Sequence, residues 1–225
     1  MTPLNKKAFG GLLQLTVILA ASLFVPAWTL SYPQAWVFLA VFFMAVLAIT
    51  IYLQKNDPKL LERRVKAGSK AETRRSQKII QFLAAIAFIS IFIVSALDHR
   101  FGWSVVPLYV VIAGDLLVAL GLLIVFFVFR ENSFASATIG VATGQRVIST
   151  GPYAIVRHPM YSGAFVMLAG VPPALGSWWG LLAVVPIILV IIWRLIDEEK
   201  FLQLNLPGYQ EYLDNVKYRL VPFVW

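Results

Sequence analysis

Two short polar motifs stand out in an otherwise apolar chain. Arg157, His158 and Pro159 come directly before one hydrophobic stretch, and Glu198 and Glu199 follow the next one. A guanidinium and an imidazole beside two carboxylates can orient an anion, hold an ammonium group or a hydroxyl, or move a proton. The two motifs therefore indicate a binding or catalytic site if the fold brings them together.

The same residues also have ordinary structural interpretations. Arg157 can reach lipid phosphates from the membrane edge, and His158 can cap a helix that begins at Pro159. The acids can be a solvated charged run, although at a helix C-terminus each opposes the macrodipole by about 0.3–1 kcal/mol. A cation is therefore expected to meet them, and both Arg157 and the ammonium or sulfonium of a ligand fit that role.

The composition indicates an integral membrane protein. Of 225 residues, 60% are hydrophobic and only 13% are charged, which is too little polar surface for a water-soluble domain. The absence of cysteine excludes disulfides, thiolate metal sites and a cysteine nucleophile. Two histidines do not make a cluster that binds metal or haem through imidazoles, so no metal site is predicted.

The hydrophobic stretches predict an all-α, polytopic transmembrane bundle of about six membrane helices. The predicted spans are residues 8–30, 34–53, 79–97, 105–129, 160–175 and 181–196. Between the last two spans lies a five-residue turn containing Trp178 and Trp179, which are typical of a membrane interface. The last two helices should therefore form a tight hairpin.

The distribution of positive charge predicts the orientation. With six crossings, every lysine and arginine except Arg100 falls on one side. The positive-inside rule places that side, with both termini and both long loops, in the cytoplasm, which means the inner or plasma membrane if the protein is bacterial. The formal charge of +8 then reflects topology and contact with anionic membrane lipids, and no nucleic-acid partner is predicted.

The connectivity of a hairpin brings distant polar residues together. The segment before its first helix and the segment after its second must emerge at the same membrane face, so Arg157 and His158 should lie near Asp197, Glu198 and Glu199. Beyond them, residues 206–216 predict a short amphipathic helix that can cover the hairpin as a lid. Its apolar face contains Tyr209, Tyr212, Leu213, Val216 and Leu220.

The remaining polar residues favour structural roles. Residues 54–78 predict a basic surface helix followed by a loop at Gly68. Asp115 lies within the fourth span, where we expect a structural hydrogen bond. Residues 98–100 should form a short outer loop with a solvated His99.

The sequence Arg157-His158-Pro159-Met160-Tyr161, followed after a hydrophobic hairpin by Glu198-Glu199, resembles a known signature. It is similar to the RHPxY and EE motifs of the isoprenylcysteine carboxyl methyltransferase family, integral-membrane enzymes that include relatives of phospholipid methyltransferases. The similarity covers about residues 130–222, and the matching residues follow one another in the same order along the chain. Its flanking part includes Gln145, Gly151 and Pro152 upstream and Gly208, Tyr209 and Tyr212 downstream.

The resemblance implies methyl transfer from S-adenosylmethionine to a lipophilic acceptor, in a cytoplasmic pocket that needs no soluble nucleotide-binding domain. It implies Arg157 and Glu199 as catalytic residues. The residues implied to bind the cofactor are Gln145, Tyr153, His158, Pro159, Tyr161, Glu198, Glu199, Tyr209 and Tyr212. The identity of the acceptor and the oligomeric state stay open.

The chain is expected to be one membrane domain, with N-terminal helices and the basic loop in residues 1–100 and the catalytic core in residues 105–225. Two other functions stay open. A membrane sterol reductase of related architecture would use NADPH, although few cytoplasmic cations near the pocket are available for its phosphates. A transporter or scaffold without catalysis would need polar residues along a path through the helices, and only Asp115 suits that role.

Overall fold

The computed structural model describes residues 2–225, which contain eight α-helices, one 3₁₀ turn and no β-strand. The helices are α1 (Pro3–Ala27), α2 (Pro33–Asn56), α3 (Pro58–Val65), α4 (Arg75–Phe101), α5 (Leu108–Glu131), α6 (Pro159–Ala174), α7 (Trp179–Asn205) and α8 (Tyr209–Asn215). The 3₁₀ turn covers Gly151–Ala154. The predicted all-helical, polytopic architecture is confirmed.

Five helices, α1, α2, α4, α5 and α7, are long and apolar enough to cross a membrane. The sixth predicted crossing corresponds to α6, whose 16 residues span about 24 Å, somewhat less than the ~30 Å of a hydrocarbon core. Pro172 and Pro173 lie in its last turn, and α7 follows after a short turn. The predicted hairpin is therefore present, with a short first helix.

Four glycines let α5 and α6 approach closely. Gly114 and Gly121 of α5 face Gly170 and Gly163 of α6, and a Cβ at Gly121 would lie 2.5 Å from the carbonyl oxygen of Gly163. Small residues at a helix interface allow such backbone contact in membranes, where packing rather than hydrophobicity drives association. This interface fixes the start of α6, where the arginine-histidine-proline motif lies.

The basic segment after α2 folds largely as predicted. It forms the amphipathic helix α3, whose Leu60 and Leu61 are buried against Leu53 and Phe129. A loop follows in which Gly68 has a φ of 89°, a conformation that favours glycine. Ala8 of α1 belongs to the same buried cluster, so the N-terminus lies at the membrane face that carries α3. We call this the site face.

Three local predictions were wrong. Residues 98–100 belong to α4 rather than to a loop, since this helix continues to Phe101. His99 is half-buried and stacks on Tyr32 with ring centroids 3.8 Å apart, so it is not freely solvated. The side chain of Asp115 lacks the expected structural bond, because its buried Oδ1 has no hydrogen-bond partner within residues 2–225.

The last long helix also extends further than predicted. Helix α7 continues to Asn205, so Asp197, Glu198 and Glu199 lie two turns before its end. Successive residues of an α-helix are about 100° apart around its axis. The three acids therefore point in three different directions, and this determines the arrangement of the site.

Candidate functional site

The start of α6 is joined to the C-terminal tail through its backbone. The N–H of Arg157 donates to the carbonyl of Tyr218 at 2.9 Å, and the N–H of His158 donates to that of Arg219 at 3.0 Å. This confirms that the polar segments before and after the hairpin meet at one face. It also occupies the backbone donors of the two residues that precede α6.

Glu199 is the centre of a buried ion cluster. Its side chain is only 6% exposed, and its Oε1 lies 3.4 Å from Nη1 of Arg157 and 3.3 Å from Nε2 of His158. Its Oε2 accepts from Nε of Arg219 at 2.8 Å. Glu199 therefore compensates the positive charges of Arg157 and Arg219. Removing its carboxylate would leave buried positive charge without a partner and destabilise the cluster.

Arg157 connects this cluster to α8. Its Nε donates to the carbonyl of Val216 at 2.5 Å and its Nη2 to that of Leu213 at 2.9 Å. These carbonyls lie at the C-terminal end of α8, where the helix has free acceptors and a cation is favourable. The guanidinium therefore attaches α8 to the start of α6.

Glu198 points to a different group of residues. The hydroxyl of Tyr161 donates to its Oε2 at 2.6 Å and accepts from Nε of Arg194 at 3.1 Å. Arg194 also donates to Glu72 and Gln77, at 3.1 and 2.8 Å. A chain of hydrogen bonds thus runs from the segment after α3 through Arg194 and Tyr161 to Glu198.

Asp197, the third acid, binds the segment that leads into α4. Its carboxylate lies 3.1 Å from Nη1 of Arg74 and accepts a short hydrogen bond from Gln77. From the sequence, a cation was expected to meet the acidic run, either Arg157 or the ammonium or sulfonium of a ligand. The structure shows instead that Arg157 meets Glu199 alone, while Arg74 meets Asp197.

Three residues of this network, Glu72, Gln77 and Arg194, were not predicted as site residues from the sequence. Glu72 is 2% exposed, and its Oε2 also accepts from the backbone N–H of Ile139 at 3.3 Å. A weak signal was present, since Glu72 is an acid in a strongly basic segment and Arg194 is a cation within a predicted span. Neither observation alone indicates which partner each residue has.

These contacts enclose a narrow cleft at the site face, with about 800 Å³ of free space when its mouth is included. Nearly all residues predicted for the site line it, namely Gln145, Tyr153, Arg157, His158, Pro159, Tyr161, Glu198, Tyr209 and Tyr212. Glu199 is the exception, because its carboxylate faces the cluster behind the wall. The structure therefore gives the two glutamates different positions.

Aromatic residues form much of the wall. The rings of Tyr209 and Tyr212 lie 5.8 Å apart, and the hydroxyl of Tyr212 donates to the carbonyl of Tyr153 at 2.8 Å. The hydroxyl of Tyr153 accepts from Asn132 at 2.9 Å, and burial raises the pKa of Tyr153 to about 12. Burial raises the pKa of Tyr209 and Tyr212 as well. These phenols stay neutral at physiological pH and provide aromatic surface with polar edges.

Gln145 contributes through the loop that closes the cleft. Its Oε1 accepts from the backbone N–H of Ala142 at 2.9 Å, which stabilises the turn around Gly144. On the face of α8 that borders the cleft, the buried residues Tyr209, Tyr212 and Leu213 pack with Val216, which directly follows the helix. Leu220, predicted on the same face, lies beyond α8 and packs with Tyr161 and Leu195. The amphipathic face predicted for this helix therefore covers the cleft.

A second, mostly apolar groove lies beside the first. It is lined by Ile124, Phe127, Ile155, Val156 and Leu220, with Arg130 and Glu131 also in its wall, and it shares Pro159 with the cleft. The groove lies between the end of α5, the 3₁₀ turn and the tail. A polar cleft and an apolar groove thus meet at the first residue of α6.

Comparison with known proteins identifies the region that contains this site. Residues 109–206 match the phospholipid methyltransferase family. The matched region covers α5, α6 and α7 and contains both polar motifs. It confirms the predicted relationship to the integral-membrane methyltransferases and supports a multi-pass membrane methyltransferase.

A curated relative is similar over part of the same length. The Delta(14)-sterol reductase TM7SF2 of Mus musculus is 33% identical over 96 residues, which are 39% of this chain and 22% of the reductase. The chain thus spans only about a fifth of the relative that it matches. The similarity is consistent with a shared C-terminal architecture in methyltransferases and sterol reductases.

Proposed function

We propose that this protein is an integral-membrane methyltransferase that uses S-adenosylmethionine to methylate a lipophilic acceptor. The observation that carries the proposal is the cleft itself. It joins Tyr161 of the first motif to Glu198 of the second, within a region that matches a methyltransferase family.

The polar groups of the cleft suit this cofactor. Within residues 2–225, Glu198 is hydrogen-bonded through Oε2 alone, which leaves Oε1 for the amino group or a ribose hydroxyl of the cofactor. Tyr153, Tyr209 and Tyr212 offer aromatic surface for the adenine and for the positive sulfonium. When bound, the cofactor supplies a methyl group whose bond to sulfur breaks as the bond to the acceptor forms, leaving S-adenosylhomocysteine.

Arg157 and Glu199, which the family resemblance implies as catalytic, are proposed to act mainly by positioning. Glu199 holds Arg157, His158 and Arg219 together, and Arg157 holds the end of α8. Alignment of the reacting atoms and exclusion of water provide much of the rate enhancement in a displacement of this kind. These two residues keep the lid and the α6 start in the geometry that alignment requires.

The apolar groove supports an acceptor that comes from the bilayer. Its wall of Phe127, Ile155 and Leu220 suits a hydrocarbon chain, and Pro159 connects it to the polar cleft. An acceptor with its chain in this groove would have its reactive group near the cleft. We further propose that the site face is cytoplasmic, because the basic residues concentrate there.

The decisive experiment is methyl transfer into a total membrane-lipid extract. Purified protein in detergent is incubated with radiolabelled S-adenosylmethionine and the extract, and the labelled product is identified by mass spectrometry. We expect label in one lipid-soluble species, in amounts that depend on the protein. Absence of label across extracts that contain anionic, zwitterionic and prenylated lipids would contradict the proposal.

The sterol reductase match favours a second candidate, a membrane reductase that uses NADPH. Titration calorimetry in detergent separates the two candidate functions, because it measures the affinity for S-adenosylhomocysteine and for NADPH independently. Three phosphates would need several free cations, whereas the described wall of the cleft contains two, Arg146 and Arg157, and Arg157 is already bound to Glu199. We expect saturable binding of S-adenosylhomocysteine, and binding of NADPH alone would favour the reductase.

A further inference from the structure

Arg64 of α3 lies directly behind the wall of the cleft. Its Nη1 donates to the carbonyl of Ser136 at 3.1 Å and lies 3.7 Å from Sδ of Met160. Its guanidinium carbon is 4.8 Å from the centre of the Phe129 ring. Ser136 and Met160 both line the cleft, so Arg64 is in direct contact with residues of its wall.

Three other arginines around the cleft have acidic partners, whereas Arg146, which lines the cleft, has no ion pair within the described residues. Arg157 and Arg219 pair with Glu199, and Arg194 pairs with Glu72. Within the range 2–225, Arg64 has no carboxylate at ion-pair distance and makes hydrogen bonds through Nη1 only. Its Nε and Nη2 therefore keep their donors available.

A partly buried cation without an acid is unfavourable. Burial, together with the charge of nearby Arg194, lowers the pKa of Arg64 to about 10. A charge removed from water is costly when no opposite charge compensates it. The carbonyl of Ser136, the thioether of Met160 and the ring of Phe129 compensate the positive charge of Arg64 only partly. A negatively charged group of a ligand would provide the missing partner.

We propose that Arg64 binds an anionic oxygen group, a carboxylate or a phosphate, of a molecule held in the cleft. The inference rests on the proposed function, which supplies two sources for such a group: the carboxylate of the cofactor and an anionic group of the acceptor. In either case Arg64 and Glu198 provide opposite charges for one cleft. Arg157, whose guanidinium holds α8, is then not the residue that recognises the anion.

The test compares Arg64→Gln with Arg63→Gln as a matched control. Arg63 is the preceding residue of α3 and also donates to a backbone carbonyl, that of Ser133, and lies over a ring, that of Phe134. Calorimetry in detergent uses two probe pairs: S-adenosylhomocysteine with its methyl ester, and dodecyl phosphate with dodecanol. Each pair differs only in the anionic group.

We expect Arg64→Gln to lose about 10-fold or more in affinity for the anionic member of one pair, with little change for its neutral member. A loss for S-adenosylhomocysteine assigns the group to the cofactor, and a loss for dodecyl phosphate assigns it to the acceptor. The Arg63→Gln variant should bind all four probes like the unaltered protein. Arg64→Lys, which keeps the charge, should retain part of the preference for the anion.

Three results would overturn the inference. One is unchanged binding of both anions by Arg64→Gln, and another is an equal loss for the neutral members, which indicates structural damage. If Arg64→Gln does not fold, Arg64→Lys decides, and an unaltered ratio of anion to neutral affinity in it counts against the role. Should the unaltered protein fail to bind S-adenosylhomocysteine, the proposed function fails, and dodecyl phosphate still tests Arg64.

Discussion

Two polar clusters lie at opposite ends of the same helices, and they differ in whether their groups face a cavity. At the end opposite the site face, which we call the outer end, Oδ2 of Asp98 accepts from the hydroxyls of Ser177 and Ser104 at 2.5 and 2.6 Å, while its Oδ1 is buried without a hydrogen-bond partner within residues 2–225. Tyr32 donates to the carbonyl of Leu175 at 2.6 Å. Asp98, Ser177 and Tyr32 are at most 1% exposed. This outer cluster holds the turn between α6 and α7.

The inner cluster, at the site face, is built from more distant parts of the chain. Glu72, Tyr161, Arg194 and Glu198 form one hydrogen-bonded chain, and Glu198 and Tyr161 line an open cleft. Its bonding leaves Oε1 of Glu198 without a partner inside the described chain. The comparison shows that buried acids alone do not indicate a site. In each cluster one carboxylate oxygen has no partner within the described residues, but only Glu198 lines a cleft, and a site needs polar groups that face a cavity.

The largest expected effect comes from breaking the ion cluster behind the cleft. Glu199→Gln and Arg157→Ala should each abolish methyl transfer, because Arg157 holds the end of α8 and Glu199 holds Arg157, His158 and Arg219 in place. Breaking a buried pair costs about 3–5 kcal/mol. Methyl transfer by the purified variants and their recovery in the membrane fraction are the measurements. Insertion should be intact, and retained activity in either variant would refute the positioning role.

A smaller loss is expected when the hydroxyl between Arg194 and Glu198 is removed. Tyr161→Phe should reduce kcat/KM by about 10- to 100-fold, because hydrogen bonds to charged groups contribute about 1.5–3 kcal/mol. Tyr212→Phe is the matched control, since its hydroxyl bonds to the backbone carbonyl of Tyr153. Equal losses in the two variants would show that the Tyr161 hydroxyl has no special place in the site.

A substitution in the outer cluster should lower the stability of the protein and leave its affinity for S-adenosylhomocysteine unchanged. Asp98→Asn removes the charge that Ser177 and Ser104 share, and we expect a loss of about 1–3 kcal/mol in the free energy of unfolding. Thermal unfolding in detergent measures the stability, and calorimetry measures the affinity for S-adenosylhomocysteine. A large loss of affinity in the folded variant would show that the two ends of the bundle are coupled.

The smallest effect is expected at an exposed pair on the site face. Glu62 lies 2.8 Å from Lys66 one turn away in sequence, and both side chains are more than half exposed. Exposed pairs of this kind contribute little because solvent screens them. Glu62→Gln should leave both activity and melting temperature unchanged. A measurable loss of activity would extend the functional surface beyond the cleft.

Much of the fold follows from the one-dimensional pattern of the chain. The six crossings and the hairpin were predicted because a membrane demands long apolar stretches and helices that satisfy their own backbone. The meeting of Arg157 and His158 with the acids was predicted because connectivity alone brings both ends of a hairpin to one face. Two of the three wrong local predictions, on His99 and Asp115, concern single side chains whose surroundings come from other segments of the chain. The third concerns a helix end, since α4 continues to Phe101.

The sequence by itself therefore determined the membrane architecture, the two motifs and the face on which they meet. Only the tertiary structure decided what each of three successive acids does. Because neighbouring positions on α7 point about 100° apart, Asp197 meets Arg74, Glu198 meets Tyr161 at the cleft, and Glu199 meets Arg157. The sequence shows three consecutive acids and does not assign a partner to any of them. The partner depends on which segment packs against each side of α7.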